Sequence, residues 1–176
     1  MNHIYPSQQG DLDGLCGAYS LVNSMVWLFE NKVSRVKLFE RILEEYSHRW
    51  DLVDWIINGI DSPHMSYLIK RTILSGIYKE KYSISIYRPF IKNGALTIED
   101  VFDSIDSFLQ RYEIKSRVIL MANQEHWSVV VRSNMRSIFL FDSSSAIMSN
   151  KKYYGLNGDD RKYTICLESV YFIYKN

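Results

Sequence analysis

Cys16, His126 and Asp142 are residue types that together perform nucleophilic chemistry, and each stands where such chemistry is served. Cys16 lies between a polar, glycine-containing stretch, Gln8-Gln9-Gly10-Asp11-Leu12-Asp13-Gly14-Leu15, and a run with helical spacing in Leu21, Val22, Met25, Val26, Leu28 and Phe29. A cysteine at that junction sits at a helix N-terminus. The unpaired backbone N–H groups and the helix dipole there favour an anion, so the thiolate gains over the thiol. His126 opens the apolar run Trp127-Ser128-Val129-Val130-Val131, and Asp142 closes the next one, Phe139-Leu140-Phe141. Ser133-Asn134-Met135-Arg136 between them reads as a hairpin turn. The start of one strand and the end of its antiparallel partner come level. The imidazole and the carboxylate are therefore expected to touch, in the order nucleophile, base, orienter. Gln9, or its neighbour Gln8, offers a side-chain amide that could join the Cys16 N–H in holding an oxyanion. His3, His48 and His64 lack a strand-and-acid setting. Cys166, in the strand-like run Tyr163-Thr164-Ile165-Cys166-Leu167, reads as a buried thiol acting as a small hydrophobe.

The elements that must position these residues change period halfway along the chain. The first half reads as helices: about Cys16 to Glu30; a second from a Ser34 cap through Val36, Leu38, Phe39, Ile42, Leu43 and Tyr46; a short third over Leu52 to Ile57, ending near Gly59. Ser62-Pro63 reads as N-cap and first helical position of a fourth, running to Gly76. Tyr82 to Tyr87 then alternates as a half-buried strand that Pro89 ends. Thr97-Ile98-Glu99-Asp100 resembles a capping box and opens a helix through Val101, Phe102, Ile105, Phe108 and Leu109. Strands are expected at Ser116–Met121, Trp127–Arg132, Ser137–Phe141 and Ser169–Tyr174. A polar loop between Asp142 and Tyr163 is a candidate substrate rim. Helices first and an antiparallel sheet later make one α+β domain over residues 1–176.

Composition narrows the functional classes. At 176 residues, with 47% hydrophobic and 14% aromatic residues, the chain can bury a core without staples. A net charge of +1 argues against a dedicated nucleic-acid binder. Lys151, Lys152, Tyr153 and Tyr154 interleave bases with aromatics, but the patch is short and reads as a solvated loop. Two cysteines make neither a disulfide framework nor a zinc site, and no His-Glu-x-x-His pattern occurs, so no metal or cofactor is expected. No secretory signal core and no apolar run of ~18 residues is present, which points to a cytoplasmic protein without a membrane span, open to export by a system that reads no cleavable signal.

The pattern Gln…Cys16-Gly17, then His126-Trp127-Ser128-Val129-Val130, then Asp142-Ser143 resembles papain-like cysteine peptidases. Among them it is most similar to small bacterial members, the leader-peptide-cleaving domains of bacteriocin exporters and effector enzymes with the same Cys–His–Asp order. The resemblance implies a papain-like fold, with N-terminal helices packed on a C-terminal antiparallel sheet. It also implies a Cys16–His126 ion pair oriented by Asp142, and a protein or peptide substrate cut at an amide bond through a thioester. The oxyanion glutamine of those families usually stands six residues before the cysteine, where this chain has Gly10; Gln9 is one step further and Gln8 two. The same triad serves an effector or toxin acting on a side-chain amide, as a glutamine deamidase or acyl transferase. A third reading is a non-catalytic protein-binding module in which Cys16 is incidental.

Overall fold

The computed structural model describes residues 4–91, 96–110 and 115–176. Its organising element is α1 (Cys16–Phe29), whose residues are buried on almost every side. A helix that is apolar all round belongs inside a protein, and the polar residues that α1 takes inside are all hydrogen-bonded. Ser20 Oγ donates to the Trp127 carbonyl at 2.7 Å and Ser24 Oγ to the Ser20 carbonyl at 2.8 Å. Asn23 accepts from the Ser7 N–H at 2.7 Å and donates to the Ser7 carbonyl at 3.1 Å. These bonds tie α1 to the sheet on one side and to the N-terminal segment on the other.

Around α1 lie α2 (Arg35–Ser47), α3 (Leu52–Asn58) and α4 (Ser62–Leu68), the last continued by a π-helical turn over Ile69–Ile73. Gly59 ends α3 at φ 73°, a left-handed conformation that glycine adopts without steric cost. The cap of α4 is Asp61, whose carboxylate accepts from the His64 N–H at 3.1 Å, rather than Ser62. Ser62 is instead buried and binds the Glu168 carbonyl at 2.6 Å. Gly76 does not close a helix; it opens α5 (Gly76–Lys81).

Strand β1 (Ile84–Tyr87) is followed by α6 (Ile98–Gln110), then β2 (Arg117–Asn123), β3 (Trp127–Ser133), β4 (Ser137–Leu140), β5 (Met148–Asn150), β6 (Tyr154–Gly155) and β7 (Tyr163–Lys175). The capping box at Thr97 forms: its N–H reaches Asp100 Oδ2 at 2.8 Å and its Oγ1 accepts from the Asp100 N–H at 3.2 Å. The protein is α+β, with six α-helices and seven strands among the described residues. The sheet runs β1-β7-β2-β3-β4-β5, every pair antiparallel, and β6 lies parallel beside the start of β7. The expected turn joins β3 to β4, with Asn134 Oδ1 accepting from the Arg136 and Ser137 N–H groups at 2.9 and 2.8 Å.

Both faces of the sheet are covered. Val118, Leu120, Val129, Tyr171 and Ile173 pack with α1 and its neighbours, while Ile119, Met121, Val130, Val170 and Phe172 pack under α6. Because β2 is buried on both sides, it reads as a continuous apolar run instead of alternating. The stretch expected as a loop between Asp142 and Tyr163 contains β5, a 3₁₀ turn (Lys151–Tyr153) and β6. Within the expected solvated patch, Tyr154 is buried and Lys151 pairs with Asp106 at 2.6 Å. No helix is long and apolar enough to cross a membrane among the described residues.

Candidate active site

Cys16 is the first residue of α1, where the leading N–H groups of a helix have no intrahelical acceptor. The turn that delivers it is closely built. The Asp13 carboxylate accepts from the Leu15 N–H at 3.0 Å and the Gly10 N–H at 3.1 Å, and the Gly14 N–H donates to the Ile56 carbonyl at 2.6 Å. A Cβ on Gly14 would stand 3.0 Å from three backbone atoms of Trp55, Ile56 and Gly59, so only glycine lets this turn lie against the end of α3. The Cys16 side chain is buried, with Sγ 3.9 Å from the Gly14 carbonyl.

His126 immediately precedes β3. Asn123 Oδ1 accepts from the Glu125 and His126 N–H groups, both at 2.8 Å, and the Asn123 N–H returns to the His126 carbonyl at 3.1 Å. That turn holds the backbone from which the ring reaches Asp142. His126 Nε2 lies 2.7 Å from Asp142 Oδ1, and the Asp142 side chain is fully buried. The same Oδ1 accepts from the Ser144 N–H at 2.8 Å. Asp142 Oδ2 is buried with no hydrogen-bond partner among the described residues, so the carboxylate's bonding is concentrated on the oxygen that faces the imidazole.

Electrostatics join the third member. Burial alone would lower the His126 pKa. The Asp142 hydrogen bond, hydrogen bonding with Cys16 and the negative charges of both partners outweigh it and push the value up to about 10. Burial likewise works to raise the Asp142 carboxyl, but the His126 bond and charge and the Ser144 amide hold it below the usual carboxylate range. Since Asp142 occupies Nε2, Nδ1 is the nitrogen left for the sulfur. The structure thus brings Cys16, His126 and Asp142 into one interacting set.

No protein-family model, curated protein or solved structure matches this chain. The chemistry of the site is therefore read from its own residues.

The two glutamines part company. Gln8 Nε2 donates to the Asp142 carbonyl at 3.4 Å, and Gln8 Oε1 accepts from Ser145 Oγ at 2.6 Å. Gln8 is thereby fastened to the turn that carries the orienting acid. Gln9 donates its side-chain amide to the Asp13 carbonyl, and its own N–H binds the Ser143 carbonyl at 3.0 Å. The segment before Cys16 is a strap joining the Asp142 turn to the cysteine turn, and neither glutamine lines the groove described next.

Cys16 and His126 open onto a groove of about 1050 Å³. One wall is the segment between α3 and α4, including Ile60 and Asp61; another is the Asn123–His126 turn; the third is part of β7. Trp127 is buried at the base and donates Nε1–H to the Ile60 carbonyl at 2.9 Å, which fixes the first wall to the sheet. The β7 wall is a bulge. Asn123 pairs with Ile165 and Met121 with Val170, so Cys166, Leu167, Glu168 and Ser169 stand opposite Ala122 alone.

That bulge overturns the expectation for Cys166. It is exposed and lines the groove, because the strand leaves the ladder where it was expected to be buried. Burial of its thiol group and the nearby Glu168 carboxylate push its pKa up, so it stays protonated at neutral pH. His64 also differs from its expectation. It lies in the groove wall with Nδ1 2.6 Å from Asp61 Oδ1, an acid partner three residues back on the same short helix turn. That spacing was visible in the sequence; its place in the groove was not. His48 is exposed and His3 falls outside the described residues. Among the described residues no cluster of His, Cys, Asp and Glu could hold a metal ion.

Proposed function

We propose that this protein is a cysteine hydrolase that cleaves an amide bond through Cys16, His126 and Asp142, on a papain-like arrangement of a cysteine-bearing helix against a histidine-bearing sheet. The observation that carries the reading is a buried carboxylate 2.7 Å from the His126 imidazole, which shares one groove with Cys16 at the N-terminus of α1. A cationic imidazole beside the sulfur, together with the helix N-terminus, favours the thiolate.

The thiolate attacks the amide carbonyl carbon, and the carbonyl electron pair moves onto oxygen. The Cys16 N–H faces that oxyanion from the end of α1. Gln9 gives its side-chain amide to the Asp13 carbonyl and stands outside the groove lining, so the Cys16 N–H is the oxyanion donor in this reading. As the C–N bond breaks, His126 gives its proton to the leaving nitrogen, and a thioester remains. Water then attacks the thioester with His126 taking its proton, and the sulfur departs as thiolate with release of the acid. Asp142 holds the ring orientation throughout and stabilises its charge. The open groove, at the upper end of the volumes that hold small ligands, suits several residues of extended peptide. Peptide-bond cleavage is thus favoured over attack on a side-chain amide.

A peptide bearing a thiol-directed electrophile tests this. One adduct is expected at Cys16 and none in Cys16→Ala. Labelling that persists in the variant, or that falls on Cys166, overturns the assignment. With a protein substrate, two fragments mark a peptidase, and a small mass gain without cleavage marks deamidation.

A further inference from the structure

We propose that the groove selects extended peptides with a lysine or arginine beside the scissile amide, and that Glu125 and Glu168 are the residues that make the choice. The inference rests on the hydrolase reading for the word scissile, but its charge argument stands on the groove itself.

The chain as a whole is balanced, with 21 lysines and arginines against 20 acids. The groove is not. Among the described residues its charged lining is Asp61, Glu125 and Glu168, with His64 and His126, and no described lysine or arginine lines it. Asp61 lies 2.6 Å from His64 Nδ1, which occupies it locally and leaves the two glutamates as the acids facing no such neighbour. Among the described residues neither glutamate belongs to an ion pair. Lys162 stands close enough to feel Glu125, yet it is fully exposed and held first by Tyr163. The triad adds to the same sign: thiolate, imidazolium and carboxylate sum to one negative charge. A cleft lined by one sign of charge concentrates counter-charged ligands and repels like-charged ones.

Glu168 is placed for this by its backbone. Its carbonyl accepts from Ser62 Oγ at 2.6 Å and from the Arg88 guanidinium. Arg88 in turn reaches Ser62 Oγ at 2.8 Å and lies over the Tyr171 ring at 5.1 Å. Arg88 is thus engaged by Ser62 and the main chain of the bulge, and Glu168, which is exposed, lines the groove. Its carboxylate is near enough to Cys166 to raise that thiol. Glu125 belongs to the Asn123–His126 wall and Glu168 to the β7 wall, so two different walls of the groove that Cys16 lines each carry a carboxylate.

The test is equilibrium binding to the full chain carrying Cys16→Ala, so that no turnover is needed. The probes are acetylated, amidated hexapeptides of Gly, Ala and Leu with a single Lys, Ala or Glu at each position in turn. At one or more positions Lys is expected to bind about five- to tenfold tighter than Ala, the size that partly exposed charge pairs give, and Glu weaker than Ala. Glu125→Gln and Glu168→Gln should each remove part of the preference, the double variant nearly all of it, and high salt should flatten it. Both glutamates are exposed, so melting temperatures should stay near the parent's. Lys equal to Ala at every position, no binding by any peptide, or a preference that survives the double variant overturns the inference. Labelling of wild-type Cys16 by an uncharged electrophile is scored separately. Labelling without charge preference keeps the hydrolase and removes this inference; charge preference without labelling does the reverse.

Discussion

Asp142→Asn isolates the group that holds the site's charge. The substitution keeps the side chain's shape and removes the carboxylate from a position that is 1% exposed and 2.7 Å from His126 Nε2. With His126 at about 10, keeping it neutral at pH 7 costs about three pKa units, or roughly 4 kcal/mol at 1.36 kcal/mol per unit. That agrees with the ~3–5 kcal/mol that breaking a buried charge pair costs. Without Asp142 the burial of His126 is opposed by Cys16 alone. The ring should lose its proton at a lower pH than in the wild type, and the sulfur loses part of the cation beside it. A sulfur with less positive charge beside it is a poorer nucleophile, so Cys16 alkylation by iodoacetamide should slow about tenfold at pH 7. The assay is the alkylation rate from pH 5 to 10, read by mass, with His126 followed by proton NMR. A variant that alkylates within about threefold of wild type at pH 7, or a wild-type His126 that titrates like a free histidine, refutes the reasoning. Stability should follow the same two charges. Folding raises His126, so its contribution is complete below about pH 6.5 and fades as the pH climbs toward 10; folding lowers Asp142, so its contribution is lost as acid protonates it. The melting-temperature deficit of Asp142→Asn should therefore be largest near pH 5–6 and shrink toward pH 10.

Gln9→Ala should leave turnover within about threefold of wild type, because its amide serves the Asp13 turn rather than the groove; a loss of about 100-fold with Cys16 alkylation unchanged would make it an oxyanion donor. Ser20→Ala strands a buried carbonyl that now accepts at 2.7 Å and should cost ~1–3 kcal/mol in thermal or denaturant unfolding. Gly14→Ala sets a methyl 3.0 Å from three backbone atoms that cannot turn aside, and should cost ~1–3 kcal/mol with slower alkylation of Cys16. Asn123→Ala should slow alkylation more than it lowers the melting temperature, since it frees the turn that aims His126 and leaves the core untouched.

Local features of the chain were legible where local physics decides them. Helical spacing after Cys16, the Gly59 stop, the Thr97–Asp100 box and the Asn134 turn each use partners within a few residues, and each forms as read. The His126–Asp142 contact was also legible, because one hairpin brings them level. Errors arose where a distant element competed for a residue. Ser62 has the chemistry of an N-cap, but Asp61 takes that role and Ser62 turns to the Glu168 carbonyl. Cys166 sits in an apolar run, yet three extra residues of β7 must bulge between its pairings with β2, and the thiol is carried outward. Strand β6 is two residues long and owes its existence to the neighbouring start of β7, so its own sequence holds no period to read.

By itself, then, the sequence determined that a cysteine would begin a buried helix and that a histidine and an aspartate would meet on a hairpin, since caps, turns and periodicity act over short stretches of chain. Tertiary structure alone decided that the helix end would meet the hairpin. That depends on α1 lying against the sheet, on Ser20 finding the Trp127 carbonyl 107 residues away, and on Gly14 admitting the end of α3. It also decided the sign of the groove, because which of the chain's balanced charges face one cleft is a matter of how three walls from separate segments pack, and no local pattern encodes that.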